Sequence, residues 1–308
     1  MHKFIIKRLL MLIPVLLGVM FVVFVLGYFS PGDPVRAMLG EAAQPEDIER
    51  LRAELGLDDP FFVRYFNFII NAVQGDFGVS YNTQRPVFTE VFARFPNTMQ
   101  LAAMGIVVAI IVGIPLGIIS AVRQYTAFDF GATFFGLLGV SIPNFWLGLM
   151  MIVLFAVTLR WLPATGFDEP LQWIMPTIAI ATSSSAIIMR MTRSSMLECV
   201  RQDYIRTARA KGQKESVVIF RHALRNALIP VATTAGLQFG FLLGGAVLTE
   251  TIFAIPGLGR MLVSAIFDRD FAIVRGGVLL IAVAFTVVNL AVDVLYAFID
   301  PRIRSQYK

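Results

Sequence analysis

Asp203-Tyr-Ile-Arg-Thr-Ala-Arg-Ala-Lys-Gly212-Gln-Lys-Glu-Ser216, continued from Val217 to Pro230, is a polar stretch set between two apolar ones. Its pattern predicts a helix, a turn at Gly212 and a second helix. In the second helix Val217, Phe220, Leu224 and Leu228 fall on one apolar stripe at helical spacing. Lys214, Ser216, Arg221 and Arg225 take the opposite face. A helical hairpin that is apolar on one side needs protein or membrane to cover that side. The small residues Ala208, Ala210 and Gly212 favour docking, because they let another backbone come close. The flanking runs are apolar, Ile174–Met189 short and Ala227–Phe253 long, so the hairpin is expected to be a loop between two membrane helices.

Composition agrees with that class. The 308 residues are 57% hydrophobic and 15% charged, with a mean hydropathy of +0.73, where a soluble domain carries about 25% charged residues. The net charge of +5 fits a membrane protein with its Lys and Arg gathered on one side better than it fits a nucleic-acid partner. Cys199 is the only cysteine, and His2 and His222 lie far apart, so neither a disulfide nor a His/Cys metal site is expected. No cofactor is expected either.

Working outward from the hairpin, six spans are read. The first, Leu9–Phe29, is too long for a cleaved signal core and ends in Tyr28-Phe29-Ser30-Pro31, a poor cleavage site. Five follow at Met99–Val122, Phe130–Leu159, Ile174–Met189, Ala227–Phe253 and Gly276–Ile299. The second of these five contains Pro143 and is read as one kinked span; the Ser183-Ser184-Ser185 run makes the third the least secure. The expected organisation is a first transmembrane helix (1–30), a small helical extracytoplasmic insert (31–98), a transmembrane core (99–300) that includes the hairpin loop (195–226), and a tail (301–308). Within the insert, Pro45 at a first helical position followed by Glu46 and Asp47 predicts a helix that Gly56 closes. Asp59-Pro60 opens a second helix through Phe68 to Gly75, with enough aromatics to lie against the membrane surface or the bundle.

Charge sets the orientation. With the N-terminus inside, the inner segments hold sixteen of the 26 Lys and Arg residues, nine of them between Arg190 and Arg225. Both termini are therefore expected in the cytoplasm.

The hairpin also carries a resemblance. Arg206-Thr-Ala-Arg-Ala-Lys-Gly212 and His222-Ala-Leu-Arg-Asn-Ala-Leu-Ile-Pro230 resemble the conserved cytoplasmic loop of permeases in binding-protein-dependent ABC importers, in the branch for dipeptides, oligopeptides, glutathione and nickel. Further marks run in the same order along nearly the whole chain: Pro31-Gly-Asp-Pro34, Leu55-Gly-Leu-Asp58, Gly75-Asp-Phe-Gly78, Ser141-Ile-Pro-Asn-Phe145, Trp161-Leu-Pro163, Pro256-Gly-Leu-Gly-Arg260 and Asp300-Pro301. Arg206-Thr207-Ala208 stands where the wider importer pattern opens with Glu-Ala-Ala, a departure shared by the peptide branch. The resemblance implies an all-α type I fold in a bacterial or archaeal cytoplasmic membrane. It implies alternating access driven by one or two separate ABC ATPase subunits, beside a second, homologous permease and an extracytoplasmic solute-binding protein. Asp203, Arg206, Ala208, Arg209, Ala210, Gly212 and Glu215 would then meet the ATPase. The chain itself is not expected to be an enzyme, since it has no Gly-x-x-x-x-Gly-Lys-Ser/Thr loop.

Other candidates lie in the spans. Ser141, Pro143 and Asn144 form either a packing kink or a hinge that lines the solute path. Glu250, at the end of the fifth span, is either solvated or paired with Arg260; by resemblance the Gly/Pro segment after it dips toward the pathway as an outer gate. Asp293, one turn after Asn289, is costly within a span and has Arg302 and Arg304 nearby as partners. An autonomous ion-coupled transporter would need several intramembrane acids or repeated halves, and neither is seen. The resemblance implies a small peptide, glutathione or chelated nickel as the solute, and nothing in the residues distinguishes them.

Overall fold

The structure, a computed structural model, describes residues 2–29, 34–40 and 43–299. Most of Pro31-Gly-Asp-Pro34, the tail with Arg302 and Arg304, and the side chain of Asp293 lie outside what is described. Among the described residues the chain is helices and turns, with one isolated bridge between Val79 and Pro86.

Helix α1 (His2–Phe29) is the first span. The insert holds α2 (Pro34–Leu39), α3 (Pro45–Glu54) and α4 (Phe61–Val73). Pro45 does open α3, and Gly56 follows it at φ +60°, the left-handed conformation that stops a helix. Helix α4 does not stand clear of the bundle. Tyr65 and Phe68 pack on Met20 and Phe24 of α1, and the Tyr65 hydroxyl donates to the Leu17 carbonyl at 2.8 Å. Its other side leaves Phe62, Phe66 and Ile70 exposed.

The next spans are longer than their apolar runs. Helix α5 covers Val87–Val122 and α8 covers Pro170–Val200. Between them, α6 (Ala127–Ser141) meets α7 (Asn144–Met151, continued by a π-helical Ile152–Thr158) at 98°. The expected single kinked span is therefore two helices. Ile142, ahead of the proline, is pushed into extended backbone, and Pro143 stands at the start of α7 rather than inside a helix. The Ser-rich span read as least secure is in fact the most enclosed: half of its apolar window is buried. Among the described residues five helices are long and apolar enough to cross a membrane, and the bent pair, taken as one span, brings the number to six.

The core is the α5–α8 seam, closed by α11 (Leu224–Ile252). A Cβ added at Gly113 would stand 2.7 Å from the Ser185 carbonyl oxygen, and one at Gly117 2.5 Å from Thr192 Cβ. The two backbones therefore touch, which is how helices gain contact where lipid removes the hydrophobic drive. Helix α12 (Leu258–Phe267) and α13 (Phe271–Ile299) complete the bundle.

Candidate functional site

The hairpin comes first. Helix α9 (Asp203–Ala210) begins with an acid facing its positive end and ends in a Schellman turn. The Gly212 N–H donates to Arg209 O, the Gln213 N–H to Ala208 O, and Gly212 takes φ +74°. Arg209 closes the turn with two bonds to Glu215, at 3.1 and 2.5 Å. The return helix, α10 (Glu215–Val217), passes through a π-helical Val218–Ala223 straight into α11.

The fully buried residues of the return helix lie beside the expected stripe. Val218, Ile219, Ala223 and Ala227 are buried, whereas Phe220 is 60% exposed. The π turn sets Val218 and Ala223, five residues apart, on one face, and the small Ala223 and Ala227 let the helix close on Ile118 and Ala121 of α5. Of the expected stripe, Leu224 and Leu228 do pack on the bundle, half-buried, and Phe220 does not. Ile205 and Ala208 of α9 join this same cluster. Ala208 is thus small because it packs on its own chain; Ala210 and Gly212 are exposed, with open space around Gly212. Asp203 and Arg206 are exposed and 3.6 Å apart.

The second arrangement lies at the other end of the bundle. Glu250 is fully buried, so the solvated reading fails, and it does not pair with the Arg260 guanidinium. Its carboxylate accepts from Thr98 Oγ1 at 2.6 Å and from the Arg260 backbone N–H at 2.9 Å. Thr98 Oγ1 in turn accepts from the Leu258 N–H at 2.8 Å, and Asn97 Nδ2 donates to the Pro256 carbonyl at 2.9 Å. The Arg260 side chain donates to Ala254 O at 2.7 Å. The segment after α11 folds back under its own helix end, and side chains and backbone satisfy its polar groups. Gly257 and Gly259 press so closely on Glu250 that a Cβ at either would meet the carboxylate. Asn97 and Thr98 escaped the sequence reading; two polar residues opening the run at Met99 were the available signal.

Ser141 and Pro143 are exposed at the α6–α7 bend and Asn144 is half-buried. They are not part of the Glu250 arrangement, but α7 leads to it. Gly148 lies against the Phe253 ring, 3.0 Å from where its Cβ would be.

The chain is similar to known membrane proteins in sequence and in overall fold. Residues 113–305 match the family described as the binding-protein-dependent transport system inner membrane component. Residues 1–102 match that described as the N-terminal part of the membrane component of such systems. The dipeptide transport system permease protein DppB of Alkalihalophilus pseudofirmus is 45% identical over 97% of this chain and 98% of its own length. The glutathione transport system permease protein GsiC of Escherichia coli K12 is 44% identical over 99% of both. Among solved structures, the inward-facing MetNI methionine ABC transporter superposes with a TM-score of 0.53 at 17% identity, over 66% of this chain and 93% of that one. An amino acid ABC transporter does so at 0.51 and 15% identity, over 70% and 94%; both bear on the fold alone. Two family matches and relatives aligned end to end show that the chain belongs to the inner-membrane components of binding-protein-dependent transport systems, the permease subunits of ABC importers.

Proposed function

We propose that this permease moves small peptide-like solutes inward across the membrane by alternating access, paired with a second, related permease and driven by ATPase subunits that grip the hairpin. Both termini and the hairpin face the cytoplasm, and the insert and the Glu250 segment face outward, where a binding protein delivers the solute. The observation that carries this is the division of the hairpin into two sides. Its apolar side is buried against α5 and α8, while Ala210, Gly212 and the neighbouring polar residues stand exposed on a turn stiffened by Arg209 and Glu215. A partner that moves this turn moves α8 and α11 with it. The peptide class is supported by the names of two relatives, one for a dipeptide and one for glutathione, which share a peptide backbone.

The test is purification through a tag on this chain, expressed with the genes beside it. An ATPase and a second permease should co-purify, and solute-loaded binding protein should raise ATP hydrolysis in reconstituted vesicles. Uptake by this chain alone, driven by an ion gradient without any ATPase, would defeat the proposal.

A further inference from the structure

Where the insert meets the first and last spans, two arginines from different elements converge without an ion-paired acid among the described residues, though the Asp59 charge acts on Arg64 from further off. Arg64 of α4 and Arg275 of α13 both line a cavity of 260 Å³, walled by Phe24 and Tyr28 of α1, Tyr81 and Phe271. Arg52 lines it too, and no described carboxylate does. The two guanidinium groups also border a neighbouring cavity that contains Asp59 and Asp76, yet neither acid forms an ion pair with them. Asp76 instead accepts from the Gly78 N–H at 2.8 Å.

What holds the arginines in place is neutral. Arg275 donates to Phe271 O at 3.2 Å and to the Tyr81 hydroxyl at 3.1 Å, with its guanidinium carbon 5.0 Å from the Phe24 ring centre and 5.1 Å from that of Phe68. Arg64 donates to Leu57 O at 3.2 Å and stands over Tyr28. Burial first, and then the Arg275 charge, lower the Arg64 pKa from the ordinary arginine value. Two half-buried like charges that share one cavity are unfavourable unless an anion joins them. Most of their N–H donors have no described acceptor, and a guanidinium matches a phosphate with two parallel bonds.

We propose that this cavity is a binding site for a phosphate-bearing anion, gripped by Arg64 and Arg275. The surroundings favour the headgroup of an anionic lipid as the source. The cavity opens where α1 leaves its apolar window, and next to it Leu26 is 66% and Phe29 78% exposed, a surface along which acyl chains can lie. Such a lipid would staple the insert to the first and last spans, beside the aromatic contacts with α1 and the bonds from Ser80 and Asn82 to Asp270.

The experiment uses the full chain in its purified complex and does not depend on transport. Native mass spectrometry reads retained lipid, and thermal denaturation reads stabilisation by added phosphatidylglycerol, phosphatidylcholine or inorganic phosphate. The wild type should retain phosphatidylglycerol and be stabilised by it and not by phosphatidylcholine. Arg64→Gln and Arg275→Gln should each weaken this about tenfold, the equivalent of about 1.4 kcal/mol; Arg64→Lys should keep part of it. Arg64, on the insert, serves as the readout if Arg275→Gln fails to assemble. Stabilisation by inorganic phosphate to the same extent, lost in the same variants, supports the site with a soluble ion as its source. Asp33, next to the lining Pro34, tests for a counter-charge from the chain itself. Phosphatidylglycerol held by Asp33→Asn and not by the wild type overturns the proposal, as does equal retention in the wild type and both glutamine variants.

Discussion

Asp129 and Arg193 meet at two points, Nε on one carboxylate oxygen and a terminal nitrogen on the other, both at 2.7 Å. The Asp129 side chain is 4% exposed and that of Arg193 26%. Ser120 of α5 donates its hydroxyl to the same carboxylate, and the Tyr125 N–H adds a further bond at 3.0 Å. One acid thus joins α5, α6 and α8 at the hairpin end of the bundle, two turns before α8 gives way to the hairpin. Such a pair adds little over a well-packed apolar substitute, but losing one partner strands the other. Arg193→Gln or Asp129→Leu should therefore destabilise the permease by roughly 3 kcal/mol, at the low end of the buried-pair range because Arg193 is partly exposed. Arg193→Lys, which keeps the charge but not the two-point grip, should fall between. Thermal denaturation of the purified complex measures this, and a wild-type midpoint for Arg193→Gln would remove the pair from the stability argument.

Only the exposed side of the hairpin is free to meet a partner. Ala208 faces its own chain, so Ala208→Glu would bury a charge and disrupt the hairpin whatever its partner does. Gly212 has φ +74° and nothing within 4 Å of an added Cβ. Gly212→Asn, which tolerates this conformation, should leave solute-stimulated ATP hydrolysis near normal. Gly212→Val strains the turn by about 1–2 kcal/mol and puts bulk on the docking face, so stimulation should be lost while the chain still inserts. Normal stimulation and uptake in Gly212→Val would place ATPase docking elsewhere.

Much of this was legible because hydropathy reports which residues leave water. The apolar runs located the five long spans and the bent α6–α7 pair, though not its break, and Pro45 and Gly56 marked the ends of an insert helix. What stayed hidden was contact between distant parts of the chain. Helix α5 starts at Val87 and α8 runs on through Arg190 and Arg193 to Val200, because Val87 and Val91 in the one and Met196 in the other are buried by segments far along the chain. Arg193 read as one more cytoplasmic base, since nothing in sequence ties it to Asp129, 64 residues earlier. Glu250 read as solvated or paired with a cation because a single chain does not reveal a backbone N–H aimed at it from ten residues on.

Orientation is checked by thiol labelling in intact cells. The half-buried Cys199 is first changed to Ser. A cysteine at Glu54, exposed on α3, should then react with an impermeant reagent from outside. One at Gln213, exposed at the hairpin turn, should react only after permeabilisation. Labelling of Gln213 in sealed cells would invert the bundle and end the coupling argument.

The Glu250 latch supports the sharpest expectation. Its two oxygens take a hydroxyl hydrogen from Thr98 and an amide hydrogen from Arg260, with no room for water and with Gly257 and Gly259 packed against them. Glu250→Gln keeps the size, but its amide nitrogen must face a donor on one side, and leaving a buried donor unmet costs about 1–3 kcal/mol. The folded-back segment 253–260 should loosen, lowering the melting temperature and uptake together. Thr98→Val removes a donor to Glu250 and the acceptor for Leu258 at once, so it should act in the same direction. Arg260→Gln leaves the backbone bond to Glu250 intact and frees only Ala254 O, so its effect on stability should be the smallest of the three. Limited proteolysis at the segment separates the local effect from a global one. If Glu250→Gln lowers uptake while protease resistance and melting temperature stay at wild-type values, the carboxylate's charge acts on the solute path itself and not through the latch.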